Sequence, residues 1–148
     1  MQIADEHVAI LRTQLMGNFA EHRRLLEQLD DQEANTLYAA LVSATFIKAV
    51  QGFFIDEGKT TDESEVIDFV ARVRERSDDS SDLINPQLAE SMILDLLGKG
   101  TMVETDPDTM IGHQMVLLAA VVGEKQFTDA EIDALLSSSR SLADELIE

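Results

Sequence analysis

The chain has 148 residues, no cysteine and a formal charge of −18, from 11 basic and 29 acidic side chains. This length suits one domain, and the absence of cysteine excludes disulfides, cysteine zinc sites and thiol catalysis and favours a reducing, cytoplasmic location. Because so acidic a surface repels phosphate backbones and anionic lipids, we expect the chain to bind neither nucleic acid nor membrane.

The first predicted helix runs from about Ile3 to Leu29. Its apolar stripe comprises Val8, Leu11, Leu15, Phe19, His22, Leu26 and Leu29, at the three–four spacing of a core-facing helix. Gly17 and Asn18 lie in the middle of this segment, where glycine weakens a helix. We therefore expect a kink or a close helix approach at that point.

The segment Leu37–Ile55 is the predicted centre of the fold, because it is apolar nearly all the way round. Such a helix must be enclosed on all sides or cross a membrane. Lys48 lies in its middle, acidic residues flank both ends, and it lacks the basic flank that orients a membrane span. We predict a buried core helix with a narrow polar stripe of Thr45, Lys48 and Gln51. If that stripe faces a buried cleft or another subunit, it is a candidate functional surface.

The second half of the chain contains clear helix starts. Asp62 with Glu65, and Thr128 with Glu131, have the spacing of capping boxes. The pairs Asn85-Pro86 and Asp106-Pro107 each place a capping residue before a proline, which favours the first helical position. The inward face of the helix after Asp62 is predicted to be Val66, Phe69, Val70 and Val73. A flexible connection is expected at Ser77–Asp82, and the apolar segment Met110–Val122 is predicted to pack against the central helix. The whole is an all-α bundle of about six helices, forming a single domain over residues 1–148, with two largely buried central helices.

Two turns of the chain share a pattern in which an apolar helix ends near a lysine and an acid-capped helix follows. They are IDEGKTTDESEV and VGEKQFTDAEI. These turns resemble the acidic helical hairpins of TerB-like tellurite-resistance proteins. That family has an Asp-Gly turn, whereas here Glu57 precedes Gly58 and Gly123 precedes Glu124. The resemblance covers only the turns, so it implies no function.

Sequence motifs for catalysis, metals or cofactors are not found. No carboxylate lies three or four positions before His7, His22 or His113, so the Glu-x-x-His signature of di-iron bundles is missing. An EF-hand beginning at Asp78 would lack the required glycine and glutamate. The simplest explanation of the other acidic clusters is that they are solvated helix caps rather than cation sites. We expect His22 and His113 to be core histidines rather than ligands. The sequence predicts no cofactor and no metal site.

Two functional hypotheses remain, with an enzyme of unknown type as a third. The first is a non-catalytic protein-interaction or regulatory module, either self-associating as a homodimer or binding another protein, because two helices carry apolar surface that a small domain must hide inside or against a partner. Solubility is the simplest explanation of the acidic surface, and a basic partner, a cation or mimicry of nucleic acid are the alternatives. The second is a binder of a small apolar ligand between helices. Its candidate lining residues, for which ordinary core packing is the alternative, are Phe46, Phe53, Phe54, Met110, Met115 and His113.

Overall fold

A computed structural model of the chain describes residues 2–56, 58–60, 62–76, 84–101 and 103–147, and the described part confirms the all-α fold. Its helices are α1 (Asp5–Leu15), α2 (Phe19–Glu27), a π-helix (Glu33–Tyr38), α3 (Ala39–Phe54), α4 (Glu63–Glu75), α5 (Pro86–Leu96), α6 (Pro107–Lys125) and α7 (Asp129–Leu146). A two-residue antiparallel pair, β1 (Ile55–Asp56) and β2 (Lys59–Thr60), joins α3 to α4, with Ile55 opposite Thr60. The predicted flexible connection at 77–82 lies outside the described residues.

The predicted first helix is two helices, which corrects the expectation of one continuous element. Gly17 has a φ of +78°, a left-handed conformation that ends α1 and that glycine adopts without steric cost. Asn18 then caps α2, because its side-chain oxygen accepts a hydrogen bond from the Glu21 N–H at 3.4 Å. The break leaves Phe19 58% exposed, so this residue is not on a buried stripe as predicted.

The chain packs as two units. The terminal unit comprises Met1–Lys48 and Val122–Glu148, and the central unit comprises Ala49–Val121. The division falls inside α3 and inside α6, so each of these helices contributes residues to both units. The prediction of one domain over the whole chain stays a prediction, as does the packing of α6 against α3.

In the terminal unit, α1 packs against α2 and α7. The buried residues of α1 are His7, Ile10, Leu11 and Leu15, and those of α7 are Ile132, Leu136, Ser139 and Ala143. The start of the chain is fastened to α7, because the Ile3 N–H donates to an Asp144 carboxylate oxygen at 2.8 Å and Arg140 donates to the Ile3 carbonyl at 2.8 Å. An ion pair between Arg12 and Asp133, at 2.7 Å, joins the same two helices.

In the central unit, α4 packs against α5, and the predicted inward face of α4 is confirmed. Phe69 is fully buried on that face and lies between two aromatic residues from the end of α3. Its ring centroid is 5.1 Å from that of Phe53 and 5.4 Å from that of Phe54, and the latter pair meets edge to face. Offset and edge-on contacts at these separations are the favourable arrangements for aromatic rings.

The first half of α3 is buried, as the sequence predicts. Leu41, Val42 and Ala44 have no exposed surface, and Phe46 has almost none. The segment Thr36–Phe54 is long and apolar enough to cross a membrane by length and composition alone, and 56% of it is buried within the protein. Burial of that extent is what a core helix requires, because it has no polar face to leave in water.

All four predicted helix starts are confirmed, but one of the two predicted capping boxes does not form. Asn85, Asp106 and Thr128 each accept a hydrogen bond from a backbone N–H three residues later, at 3.0–3.2 Å. Asp62 is the N-cap of α4, but its side chain accepts no capping bond. The Glu65 N–H donates instead to the Asp62 backbone carbonyl at 3.0 Å, so the predicted capping box does not form.

Replacing Thr128 with alanine is expected to lower the free energy of unfolding by about 1 kcal/mol. Thr128 and Glu131 form a complete capping box at the start of α7, and the same hydrogen bonds lower the pKa of the Glu131 carboxyl. Chemical denaturation followed by circular dichroism measures the effect. The control is Ser141→Ala on the exposed side of α7, which also removes a hydroxyl but should be neutral or slightly stabilising, because alanine is the better helix former. Equal losses in both variants would contradict a capping role.

Candidate functional site

A solvent-facing hollow lies in the central unit, where the linker after α5 meets the first turns of α6. It has a volume of about 610 Å³ and is lined by Val103, Glu104, Thr105 and Met110. We call it the Val103 hollow. Val103 is 47% exposed, so its apolar side chain is available for contact.

Hydrogen bonds on both sides fix the backbone that forms the Val103 hollow. The Val103 N–H donates to the Ser91 hydroxyl at 3.2 Å, and that hydroxyl donates in turn to the Leu88 carbonyl at 2.8 Å. At the other end, Asp106 accepts two bonds from Thr109, one from the backbone N–H at 3.0 Å and one from the hydroxyl at 2.7 Å. These bonds hold both ends of the linker, and a site that is held in place lowers the entropic cost of binding.

The charge around the Val103 hollow is negative. Glu104 and Asp108 are exposed, and the hydrogen bonds from Thr109 lower the pKa of the Asp106 carboxyl. All three carboxylates lie in the segment that forms the hollow, on a chain whose formal charge is −18. The lining thus combines two apolar side chains, Val103 and Met110, with the carboxylate of Glu104.

The residues predicted to line a ligand pocket do not all lie together. Met110 is the one that lines the Val103 hollow. Phe53 and Phe54 pack on each other at 4.7 Å and on Phe69, as side chains of a filled core do. Phe46 is buried and belongs to the terminal unit, whereas the others belong to the central unit. Met115 is half-buried on α6, and whether any of these residues binds a ligand stays a prediction.

His113 holds two elements of the central unit together. Its Nδ1–H donates to the Thr109 carbonyl at 2.9 Å, and its Nε2 accepts from the Asn85 N–H at 3.0 Å. Both ring nitrogens are occupied, and the side chain is 6% exposed. The arrangement matches the expectation of a core histidine with satisfied hydrogen bonds.

The polar stripe of α3 passes from the interior to the solvent. Thr45 is fully buried, and its hydroxyl donates to the Leu41 carbonyl at 2.7 Å, so its polar atom is satisfied within the helix. Lys48 is half-buried and Gln51 is exposed. The stripe thus runs from a buried threonine to an exposed glutamine, and whether it is a functional surface stays a prediction.

The sequence did not predict that a tyrosine, Tyr38, is buried near His22. The His22 Nδ1–H donates to the Ile10 carbonyl at 2.9 Å, and the His22 ring lies 6.3 Å from that of Tyr38. The Tyr38 hydroxyl is buried and has no hydrogen-bond partner within the described residues. Burial raises the pKa of this phenol well above its ordinary value.

The hollow itself was also missed at the level of sequence. The sequence predicts only a short linker at Val103, Glu104 and Thr105. The available signal was a valine directly before Glu104, and its meaning depends on the hydrogen bond to Ser91, which joins the linker to α5.

No family model matches the chain, and neither a curated protein nor a solved structure matches it. The resemblance of the two turns to TerB-like hairpins is thus limited to those turns. Function must be argued from the residues of the chain itself.

Proposed function

We propose that the protein is a non-catalytic interaction module that binds a basic amphipathic segment of another protein at the Val103 hollow. The observation that carries the proposal is that the exposed Val103 and the half-buried Met110 line the hollow together with the carboxylate of Glu104. An amphipathic helix places apolar anchors at helical spacing into such a surface and leaves its charged face at the rim.

The shape of the hollow favours a protein segment over a small apolar ligand. Pockets for small molecules enclose most of the ligand surface. Here Val103 and Glu104 face solvent, so a small ligand would remain largely in water, whereas a helix lying across the rim would cover the floor. Met110 adds an adaptable contact, because its unbranched thioether fits anchors of several shapes.

The charge favours a basic partner over a second copy of the chain. In a symmetric dimer the same patch meets itself, so Glu104 of each copy would approach the other across the interface. Two chains that each carry a formal charge of −18 also repel each other before they meet. A lysine- or arginine-rich segment reverses both effects, and the attraction also accelerates its association.

The test uses a synthetic amphipathic peptide with leucine on one helical face and lysine on the other. We expect it to bind, and we expect Val103→Ser with Met110→Ala to weaken binding at least about tenfold, which is about 1.4 kcal/mol. Raising the ionic strength from about 0.01 M to about 0.15 M should also weaken binding, because the Debye length falls from about 30 Å to about 8 Å. Fluorescence anisotropy of the labelled peptide measures each affinity.

The matched control is Ile67→Ser on α4 of the same unit. Ile67 is 44% exposed, close to the 47% of Val103, so the substitution removes a similar apolar surface away from the hollow. Equal weakening by Ile67→Ser and by the double variant of Val103 and Met110 would mean that the peptide binds the acidic surface without a specific site, and it would overturn the proposal. A mass above that of one chain that rises with salt and is lost in Val103→Ser would favour the homodimer instead.

A further inference from the structure

Three polar side chains meet in the terminal unit, away from the Val103 hollow. Glu6 and His7 are in the first turn of α1, and Glu33 is the first residue of the π-helix. One ligand atom from each, a carboxylate oxygen or an imidazole nitrogen, lies within 4.8 Å of the other two. His7 is 1% exposed, whereas the Glu6 side chain is 60% exposed, so the group reaches from the interior to the surface.

The Nε2 atom of His7 is buried and has no hydrogen-bond partner within the described residues. The nearest Glu6 oxygen is 3.9 Å away, which is too far for a hydrogen bond. A buried polar atom without a partner is destabilising and calls for a physical explanation. Here the atom faces two carboxylates, which repel each other unless something positive lies between them.

The other nitrogen of His7 is occupied. The Ala4 N–H donates to Nδ1 at 2.9 Å, so His7 performs the capping that a glutamate performs in the usual capping box. A neutral imidazole that accepts at Nδ1 carries its proton on Nε2. In this tautomer the side chain is a helix cap with an unpaired Nε2–H that faces the carboxylates.

We propose that Glu6, His7 and Glu33 form a binding site for a divalent metal ion of the zinc class. Zinc binds imidazole nitrogen and carboxylate oxygen at about 2.0–2.2 Å, which places neighbouring ligand atoms about 3–3.5 Å apart. The exposed Glu6 side chain can close the remaining distance, because little packs against it. A nitrogen ligand favours zinc and related transition ions over Mg²⁺ and Ca²⁺, which prefer oxygen.

Coordination through Nε2 exchanges one role of His7 for another. The proton leaves Nε2 to solvent, and a proton from solvent binds Nδ1, so the ring stays neutral. Nδ1 can then no longer accept from the Ala4 N–H, and the capping bond is lost. The start of the chain stays in place, because Ile3 bonds to Asp144 and Arg140, and Arg140 also pairs with Asp5 at 2.5 Å. Metal binding thus has a local signature at Ala4.

The test is a titration of the full chain with Zn²⁺ by calorimetry, supported by the visible spectrum of Co²⁺. We expect one strong site, weakened at least about tenfold in Glu33→Gln and in Glu6→Gln. The control is Glu27→Gln, which removes the same charge from an exposed position on α2 and should leave the affinity unchanged. Nitrogen-15 NMR of the His7 ring should show Nε2–H before Zn²⁺ is added and Nδ1–H afterwards, with a shifted Ala4 amide.

Several outcomes would overturn the metal proposal. One is Zn²⁺ binding with the same affinity in Glu33→Gln as in the unmodified chain. Another is a His7 ring that keeps its proton on Nε2 at saturating Zn²⁺, because the ion would then bind elsewhere. A third is Zn²⁺ binding with unchanged affinity in His7→Gln. Because this variant also changes the cap, circular dichroism first establishes that it folds. The site is independent of the Val103 hollow, so Val103→Ser should leave Zn²⁺ binding unchanged.

Discussion

Replacing Phe69 with alanine is expected to lower the free energy of unfolding by about 3–5 kcal/mol. The side chain is fully buried, and its ring contacts those of Phe53 and Phe54 at 5.1 and 5.4 Å. The truncation removes apolar surface from the core, leaves a cavity and ends two aromatic contacts. Since domains are typically stable by about 5–15 kcal/mol, this one change should remove a large part of the total. Urea denaturation followed by circular dichroism measures it.

The matched control for this prediction is Phe19→Ala. Phe19 carries the same ring but is 58% exposed at the start of α2, so its removal should change stability by no more than about 0.5 kcal/mol. Phe69→Leu should lie between the two, because leucine refills most of the space without the aromatic contacts. Similar losses in the Phe69 and Phe19 alanine variants would contradict the central place of Phe69 in the core.

The sequence predicted those parts of the fold that depend on local patterns. The buried face of α4 follows from the spacing of Val66, Phe69, Val70 and Val73. The starts of α5 and α6 follow from a capping residue before proline, and the start of α7 follows from its capping box. In each case the residues that determine the structure lie within one or two helical turns of each other, so no tertiary information was needed.

The break between α1 and α2 shows where local information was insufficient. Gly17 and Asn18 marked a weak point, but a kink and a complete break have the same sequence signature. The outcome depends on the left-handed φ of Gly17 and on the bond that Asn18 makes to Glu21. Because the apolar stripe was traced through the break, Phe19 was wrongly placed in the core.

Both proposed sites depend on contacts that a single sequence does not reveal. Ala4 is a poor capping residue, and nothing in its type indicates that His7 caps the helix in its place. Glu33 joins His7 only after folding, on a π-helix of a kind that occurs often at functional sites. The Val103 hollow likewise depends on the hydrogen bond that the Val103 N–H donates to the Ser91 hydroxyl, which holds the linker against α5.

The two proposals concern different units and different chemistry, so each can fail alone. The Val103 hollow belongs to the central unit and is tested by a basic peptide, whose affinity should fall with salt. The group of Glu6, His7 and Glu33 belongs to the terminal unit and is tested by Zn²⁺. A chain that binds Zn²⁺ but no peptide would retain the second proposal and lose the first.

Replacing His113 with leucine is expected to lower the free energy of unfolding by about 2 kcal/mol. The imidazole accepts from the Asn85 N–H at 3.0 Å and donates to the Thr109 carbonyl at 2.9 Å. Leucine fills similar space but offers neither bond, so the partly buried amide at the start of α5 loses its partner. The loss should appear as a lower denaturation midpoint with an unchanged denaturant slope.

The comparison that isolates this hydrogen bond is His113→Gln. A glutamine oxygen can reach the position of Nε2 and accept from the Asn85 N–H, so this variant should retain a substantial part of the stability that leucine loses. Both substitutions remove the imidazole ring, and they differ mainly in the amide group, which glutamine has and leucine lacks. If the leucine variant were as stable as the glutamine variant, the Asn85 bond would contribute little, and the role of His113 would have to be sought in packing or in binding.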